Sequence, residues 1–188
     1  MSRPQIAPYS QHWPDAFEAM AKKVRAALGP AALRIDHIGS TAVPGLPAKN
    51  VIDIQVAVAD LAVADALAAA GFRAFAEALY DHRPPGDESA DSQWSKRLFV
   101  EPADERRANV HVRVLGNANQ RYALLFRDYL RTHPATAEAY AELKRRLAAH
   151  MPDTDTYAEV KDPAVDLIAL AAEEWAAATG WKPGPSDA

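Results

Sequence analysis

The chain predicts an α+β domain, a mixed sheet flanked by helices and closed by a helical layer at its C-terminal end. Three observations carry that expectation. The run Val51-Ile-Asp-Ile-Gln-Val-Ala-Val58 is rich in β-branched residues and reads as an inner strand. Two further strand-like runs, Lys96 to Glu101 and Val110 to Leu115, flank the polar turn Pro102-Ala-Asp-Glu-Arg-Arg107 and predict an antiparallel hairpin. Apolar residues then recur at helical spacing near the N-terminus and again from Asn117 onward. The 188 residues suit one domain with its own core. Within it, about residues 9–116 form the α/β part and about 117–178 the C-terminal helices.

Taken in order, the first helix is expected from Pro14 to Leu28. Phe17, Met20, Val24 and Leu28 give it one apolar face, and Gly29-Pro30 ends it. Ala32 to Ile38 reads as a short strand, and Val51 to Val58 as a stronger one. Asp60 caps a helix over Leu61 to Ala70, which Gly71 stops. A strand over Phe72 to Ala76 follows. The segment Asp81 to Ser92, with Pro84-Pro85-Gly86 and four acids, predicts a mobile surface loop. After the hairpin, Tyr122, Leu125, Phe126 and Tyr129 form an i, i+3, i+4, i+7 stripe, and His133-Pro134 breaks that helix. A helix from Pro134 to about His150 buries Tyr140, Leu143 and Leu147. The last is expected to start with Asp162 as cap and Pro163 in its first turn, and to run through Leu167, Ile168, Ala171 and Trp175.

Composition narrows the function classes. Apolar residues make up 49% of the chain, but no apolar run approaches the ~20 residues that span a bilayer. Met1-Ser-Arg-Pro-Gln-Ile lacks the apolar core of a secretory leader, so a cytoplasmic protein without a membrane partner is expected. With no cysteine, disulfides, thiol nucleophiles and thiolate zinc sites are excluded. A formal charge of −4 argues against a general nucleic-acid binder.

The chemistry concentrates between His37 and Val56. Gly39-Ser40 ends a strand, and a loop broken by Pro44, Gly45 and Pro47 leads into the strand that carries Asp53. Glycine allows close backbone approach, and a serine hydroxyl can donate to a phosphate oxygen. The segment is no P-loop: five residues separate Gly39 from Gly45, and Leu46-Pro47 stands where Lys-Ser/Thr is required. A Gly-Ser turn after a strand can equally be only a turn. Asp53 and Gln55 share one face of their strand, with Ile52 and Ile54 on the other. An inner-strand carboxylate must be paired or metal-bound. It is therefore either in a salt bridge, with Lys49 or Arg97 as partner, or a magnesium ligand beside the turn. Arg127 and Arg131, four apart, are expected on a helix face away from the Tyr122/Phe126/Tyr129 stripe, with Asp128 able to pair with Arg131.

Longer motifs surround this segment: Tyr9-x-x-x-Trp13-x-x-x-Phe17, His37-Ile-Gly-Ser-Thr-Ala-Val-Pro-Gly-Leu46, Lys49 and Ile52-Asp53-Ile54. Val110-His111-Val112, Leu124-Leu-Phe-Arg-Asp-Tyr-Leu-Arg-x-His-Pro134, Tyr140-x-x-Leu143-Lys144 and Tyr157-x-x-x-Lys161 complete the set. Over about Tyr9 to Trp175 the chain resembles the GrpB family, also called UPF0157, whose fold resembles the nucleotidyltransferase superfamily. That resemblance implies a Gly-Ser turn that holds a triphosphate and a strand with two acids at i and i+2 for two magnesium ions ~3.5–4 Å apart. This chain has Asp53 at the first position and Gln55 at the second, which suits one ion. His111 is a candidate proton acceptor or a structural histidine, and where the family often has a second histidine this chain has Asn109. His37 braces the loop or joins the site. Together with Gly39, Ser40 and Lys49, the cations Arg127, Arg131, Lys144 and Lys161 are the expected phosphate binders.

The leading expectation is a protein that binds a nucleoside triphosphate with magnesium and transfers a nucleotidyl or phosphoryl group to a small-molecule acceptor. The alternatives are a non-catalytic nucleotide- or ligand-binding module lacking the second acid, and a protein-interaction domain.

Overall fold

A computed structural model describes residues 3–188; Met1 and Ser2, which open the segment read for a leader, lie outside the described residues. Five strands form one mixed sheet in the order β1-β2-β5-β4-β3. They are β1 (Arg34–Ile38), β2 (Ile52–Val58), β3 (Arg73–Ala74), β4 (Arg97–Val100) and β5 (Ala108–Val114). β1 runs antiparallel to β2, β2 parallel to β5, and β4 antiparallel to both β5 and β3. The helices are α1 (His12–Leu28), α2 (Asp65–Ala69), α3 (Ala118–Thr132), α4 (Pro134–His150) and α5 (Thr154–Thr179). No helix among the described residues is long and apolar enough to cross a membrane.

Strand alternation gives the sheet two unlike faces. Ile52, Ile54, Val56 and Val58 point to one side, where Val110, Val112 and Phe99 join them under Trp13, Phe17, Met20, Val24 and Leu28 of α1. This is the main core, and the apolar stripe of α1 fits it as its spacing requires. Asp53, Gln55, Asn109, His111 and Arg113 occupy the other face, because the parallel register sets Asp53 opposite Asn109 and Gln55 opposite His111. α3, α4 and α5 follow the sheet in sequence, and two smaller apolar clusters hold them together.

Burying a polar sheet face requires that its charges be paired. Arg113 donates to both oxygens of Asp81 at 2.8 and 2.9 Å and to Gln55 Oε1 at 2.6 Å. Lys96 and Asn119 complete the shell of Asp81 at 2.7 and 3.0 Å. The sequence places Asp81 at the start of a mobile surface loop; the structure instead ties it into the sheet, which no local composition signal reveals.

The edge strand β1 is covered by the chain's own tail. Ile35 N donates to Ser186 Oγ, Asp187 N to Ile35 O, and Arg34 to the carbonyls of Gly184 and Pro185. An uncovered edge would offer unpaired backbone groups to other chains.

Three helix expectations are corrected. The Asp60-capped segment begins as a 3₁₀ turn, Leu61–Ala64, before α2, with Asp60 accepting from Ala62 N as expected of a cap. The last helix starts at Thr154, not at Asp162, because Asp153 caps it by accepting from the amides of Asp155 and Thr156. It runs straight through Pro163, an interior proline that costs about 3 kcal/mol. Packing of Tyr157, Ala169, Ala172 and Ala176 offsets that cost. Arg127 does not sit on an outward face of α3. The helix is buried on two sides, through Asn119, Gln120, Leu124, Leu125, Arg127, Tyr129 and Leu130, so the exterior assigned from the apolar stripe is also interior.

Asp81 has a testable signature. Burial would raise its carboxyl, but Arg113 and Lys96 outweigh it and hold the group far below the usual carboxylate range. A carboxylate depressed on folding adds stability above its unfolded value of about 4, and that contribution disappears as pH falls below it. Arg113→Ala is therefore expected to cost about 3–5 kcal/mol at pH 7 by urea unfolding. The gap from wild type should narrow as the pH drops below about 4.

Candidate functional site

Gly39 leaves β1 with φ +69°, a left-handed conformation that suits glycine. The carboxylate of Asp53 rests directly on it: a Cβ at position 39 would lie 2.5 Å from Asp53 Oδ2. The turn continues as a single 3₁₀ turn, Ser40–Ala42, so Ser40 emerges beside the acid. Ser40 is half-buried, with its hydroxyl 2.9 Å from Lys144 Nζ.

Asp53 pairs with neither of the expected cations. Arg97 bonds Asp65 instead, at 3.0 Å, and Lys49 lies over the Tyr157 ring, 5.2 Å from its centre. The partners of Asp53 come from β5: Asn109 donates to Oδ1 at 2.8 Å, and His111 Nε2 stands 3.8 Å away, an electrostatic contact rather than a hydrogen bond. Burial raises this carboxyl, but His111, Asn109 and Lys49 outweigh it and draw it below its ordinary value. Burial draws the His111 ring down against the pull of Asp53. Its Nδ1 is buried without a hydrogen-bond partner.

Gln55 is fully buried and spoken for. Its amide nitrogen donates to Gln120 O at 3.1 Å, and its oxygen accepts from Arg113. Among the described residues no group of three or more His, Cys, Asp and Glu side chains is placed to hold a metal ion. The donor set therefore does not fit two magnesium ions.

The cations divide into two groups. Lys144, on α4, is buried, Lys161 is half-buried and close enough to act on its charge, and Lys49 is half-buried. Burial lowers the Lys49 ammonium, Asp53 opposes that, and Lys161 adds to it. Lys161 stands 3.5 Å from Asp162. Arg127 and Arg131 are committed elsewhere. Arg127 donates to His37 O at 3.0 Å and to Asp187 and Asp128 at 2.8 Å each, and Arg131 donates twice to Ala42 O. Both grip the backbone of the 37–42 segment from the α3 side. His37 is likewise internal. Its ring stacks on Phe17 at 4.8 Å and shares a hydrogen with Thr41 Oγ1 at 3.0 Å. Burial, partly countered by Asp53, draws it to about 4, so it is neutral at neutral pH. A cleft of about 220 Å³ between Tyr9, Phe17, His37, Thr41, Arg131 and Asp187 opens on this side of the turn.

Asp53, His111, Gly39, Ser40, Lys49, Lys144 and Lys161 are thus placed around one end of β1 and β2. Arg127, Arg131 and His37 brace the turn from behind, and Gln55 lies deeper in the sheet. Sequence reasoning passes over Asp81, Asp187, Tyr140 and Tyr157 as site residues. The tyrosines carry a signal, since each precedes a site lysine by one helical turn.

This is an α+β domain in which the β1–β2 end of the sheet carries Gly39, Ser40 and Asp53, with Lys144 of α4 on the Ser40 hydroxyl. Its sequence places it in a family: the GrpB protein model matches residues 3–170, and the chain belongs to that family. A crystal structure of conserved protein GrpB from Enterococcus faecalis superposes with TM-score 0.71 at 31% identity, covering 91% of this chain and 99% of that one. Bacillus subtilis UPF0157 protein YqkA is 33% identical over 91% of this chain and 48% of its own length. A dephospho-CoA kinase of Mycolicibacterium paratuberculosis is 37% identical over 95% of this chain and 48% of its own. The chain spans about half the length of these two relatives.

The Gly39 contact gives a direct expectation. Gly39→Ala places a side chain in a left-handed conformation and drives its Cβ into Asp53. Urea unfolding should show a loss of about 1–3 kcal/mol. Unchanged stability would mean that the turn does not rest on the acid.

Proposed function

We propose that this chain binds a nucleoside triphosphate and transfers a nucleotidyl or phosphoryl group to a small-molecule acceptor. The observation that carries this reading is the buried Lys144 ammonium on the Ser40 hydroxyl, with Lys161 and Arg145 as the charges that act on it and no carboxylate paired to it among the described residues. A buried ammonium without a counter-ion is costly, and a bound polyphosphate would supply the missing negative charge. The GrpB resemblance to nucleotidyltransferases favours the same end of the sheet, where the Gly-Ser turn would hold the triphosphate. Relatives named dephospho-CoA kinase set a domain of this kind in a protein named for phosphoryl transfer.

Each residue then has a task. Ser40 and the lysines hold phosphate oxygens, and Arg127 and Arg131 fix the backbone that presents Ser40. Asp53 would hold one magnesium ion, which when bound adds positive charge beside the phosphates. His111, kept neutral by burial, would accept the acceptor's proton. Catalysis of this type is mostly positioning and charge stabilisation, so few reacting groups are needed.

A second reading, a nucleotide-binding module without turnover, is favoured by Gln55. Its amide is bonded on both ends, so it is not free to complete a second metal site. Isothermal titration with ATP, CTP, GTP and UTP, with and without magnesium, tests both. Binding of at least one nucleotide is expected, weakened about 10-fold or more by Lys144→Met, an interaction of roughly 1.4 kcal/mol. Absence of binding under every condition contradicts the proposal. Binding with no release of phosphate or pyrophosphate favours the module.

A further inference from the structure

Lys144 and Ser40 are arranged for more than holding phosphate. Nζ of Lys144 is 2.9 Å from Ser40 Oγ and 2.5 Å from Pro47 O, and lies 4.6 Å from the centre of the Tyr140 ring. Only 3% of Lys144 is exposed, whereas Ser40 is half-buried. Among the described residues no carboxylate is paired with the amine; Asp162 of α5 stands 3.5 Å from Lys161 instead. The loop between β1 and β2 contributes Ser40 and Pro47, α4 contributes Tyr140 and Arg145, and α5 contributes Lys161.

This is the geometry of a nucleophile and its base. The pair must lie within about 2.6–3.2 Å, and a third group must orient the base. Pro47 O takes one N–H of the amine and so turns the nitrogen toward the serine hydroxyl. A lysine acts as a base only when neutral, and burial together with Lys161 and Arg145 draws Lys144 down to about 7. The same features that make Lys144 a weak permanent cation make it a usable proton acceptor.

We propose that Ser40 is a nucleophile and Lys144 its general base, and that the chain nucleotidylates itself at Ser40. The inference rests on the nucleotide-binding reading above. In the step, Ser40 Oγ forms a bond to the α-phosphorus of the bound nucleoside triphosphate. The bond from that phosphorus to the bridging oxygen breaks, pyrophosphate leaves with the electron pair, and the hydroxyl proton passes to Lys144 Nζ. The product is a phosphodiester on Ser40. The nucleophile comes from the protein, so the step does not depend on a carboxylate at position 55.

The 188-residue chain, incubated with each of the four nucleoside triphosphates and magnesium, should gain the mass of one nucleoside monophosphate residue. Peptide mapping should place it on Ser40. Ser40→Ala should abolish the adduct, and Lys144→Met should slow its formation about 100-fold or more. A bound triphosphate makes the amine hold its proton more tightly than in the free chain, where its pKa is about 7. The wild-type rate should therefore rise with pH above that value, and the rise should be absent in Lys144→Met. A fluorophosphonate probe, which needs no nucleotide, should label Ser40 in the wild type and not in Lys144→Met; circular dichroism confirms that both variants fold. Nucleotide binding by titration with no adduct overturns this inference and leaves the binding reading intact. Fluorophosphonate labelling without any nucleotide binding upholds the activated serine and overturns the nucleotide as its substrate. Neither labelling nor binding overturns both.

Discussion

The contact on which the site depends is between the Asp53 carboxylate and the bare backbone of Gly39. Asp53 is delivered by β2 and Gly39 by the end of β1, two antiparallel neighbours in direct register. No side chain fits between them, so the loop leaving β1 is forced to pass over the acid and to present Ser40 next to it. Arg127 and Arg131 then clamp the loop from α3 through the carbonyls of His37 and Ala42. Substitution at either side of the contact would therefore act on the whole constellation and not on one residue.

The sheet divides its labour by face. One side is an apolar core that α1 closes, and it accounts for the fold. The other is polar, and its charges are neutralised in two distinct ways. Near its centre Arg113 and Lys96 share the Asp81 carboxylate and Arg113 also donates to Gln55, a hydrogen-bonded network with little left over for a ligand. At the end near Ser40 the balance is left open, because Lys144 has hydrogen bonds but no counter-ion among the described residues. A closed ionic network specifies structure. An open one leaves room for a ligand, which in the function proposed is an anion.

Much of this is legible in the sequence. β2 and the β4–β5 hairpin follow from short β-branched runs with polar turns, and α1 follows from one apolar stripe. The family motifs mark Gly39, Ser40, Asp53 and His111. What is not legible has physical causes. α3 is buried on two sides, and periodicity reports only the apolar one, so it assigns Arg127 to the exterior. Local preference makes Pro163 a helix start, whereas the packing of α5 carries it in the interior. Asp81 is far in sequence from Arg113, and no local pattern encodes an ion pair across that separation. The shortfall of metal ligands is visible in Gln55, but only the structure shows its amide bonded at both ends.

The anion that would complete the Lys144 environment is, in the function proposed, the phosphate chain of a nucleotide. The most direct measurement is a crystal structure with a non-hydrolysable nucleoside triphosphate and magnesium. The account predicts phosphate oxygens within hydrogen-bonding distance of Ser40 Oγ and of Lys144, Lys49 or Lys161, with any ion on Asp53. A nucleotide seated instead in the cleft between Tyr9 and Arg131, with the lysine cluster unchanged, would contradict it.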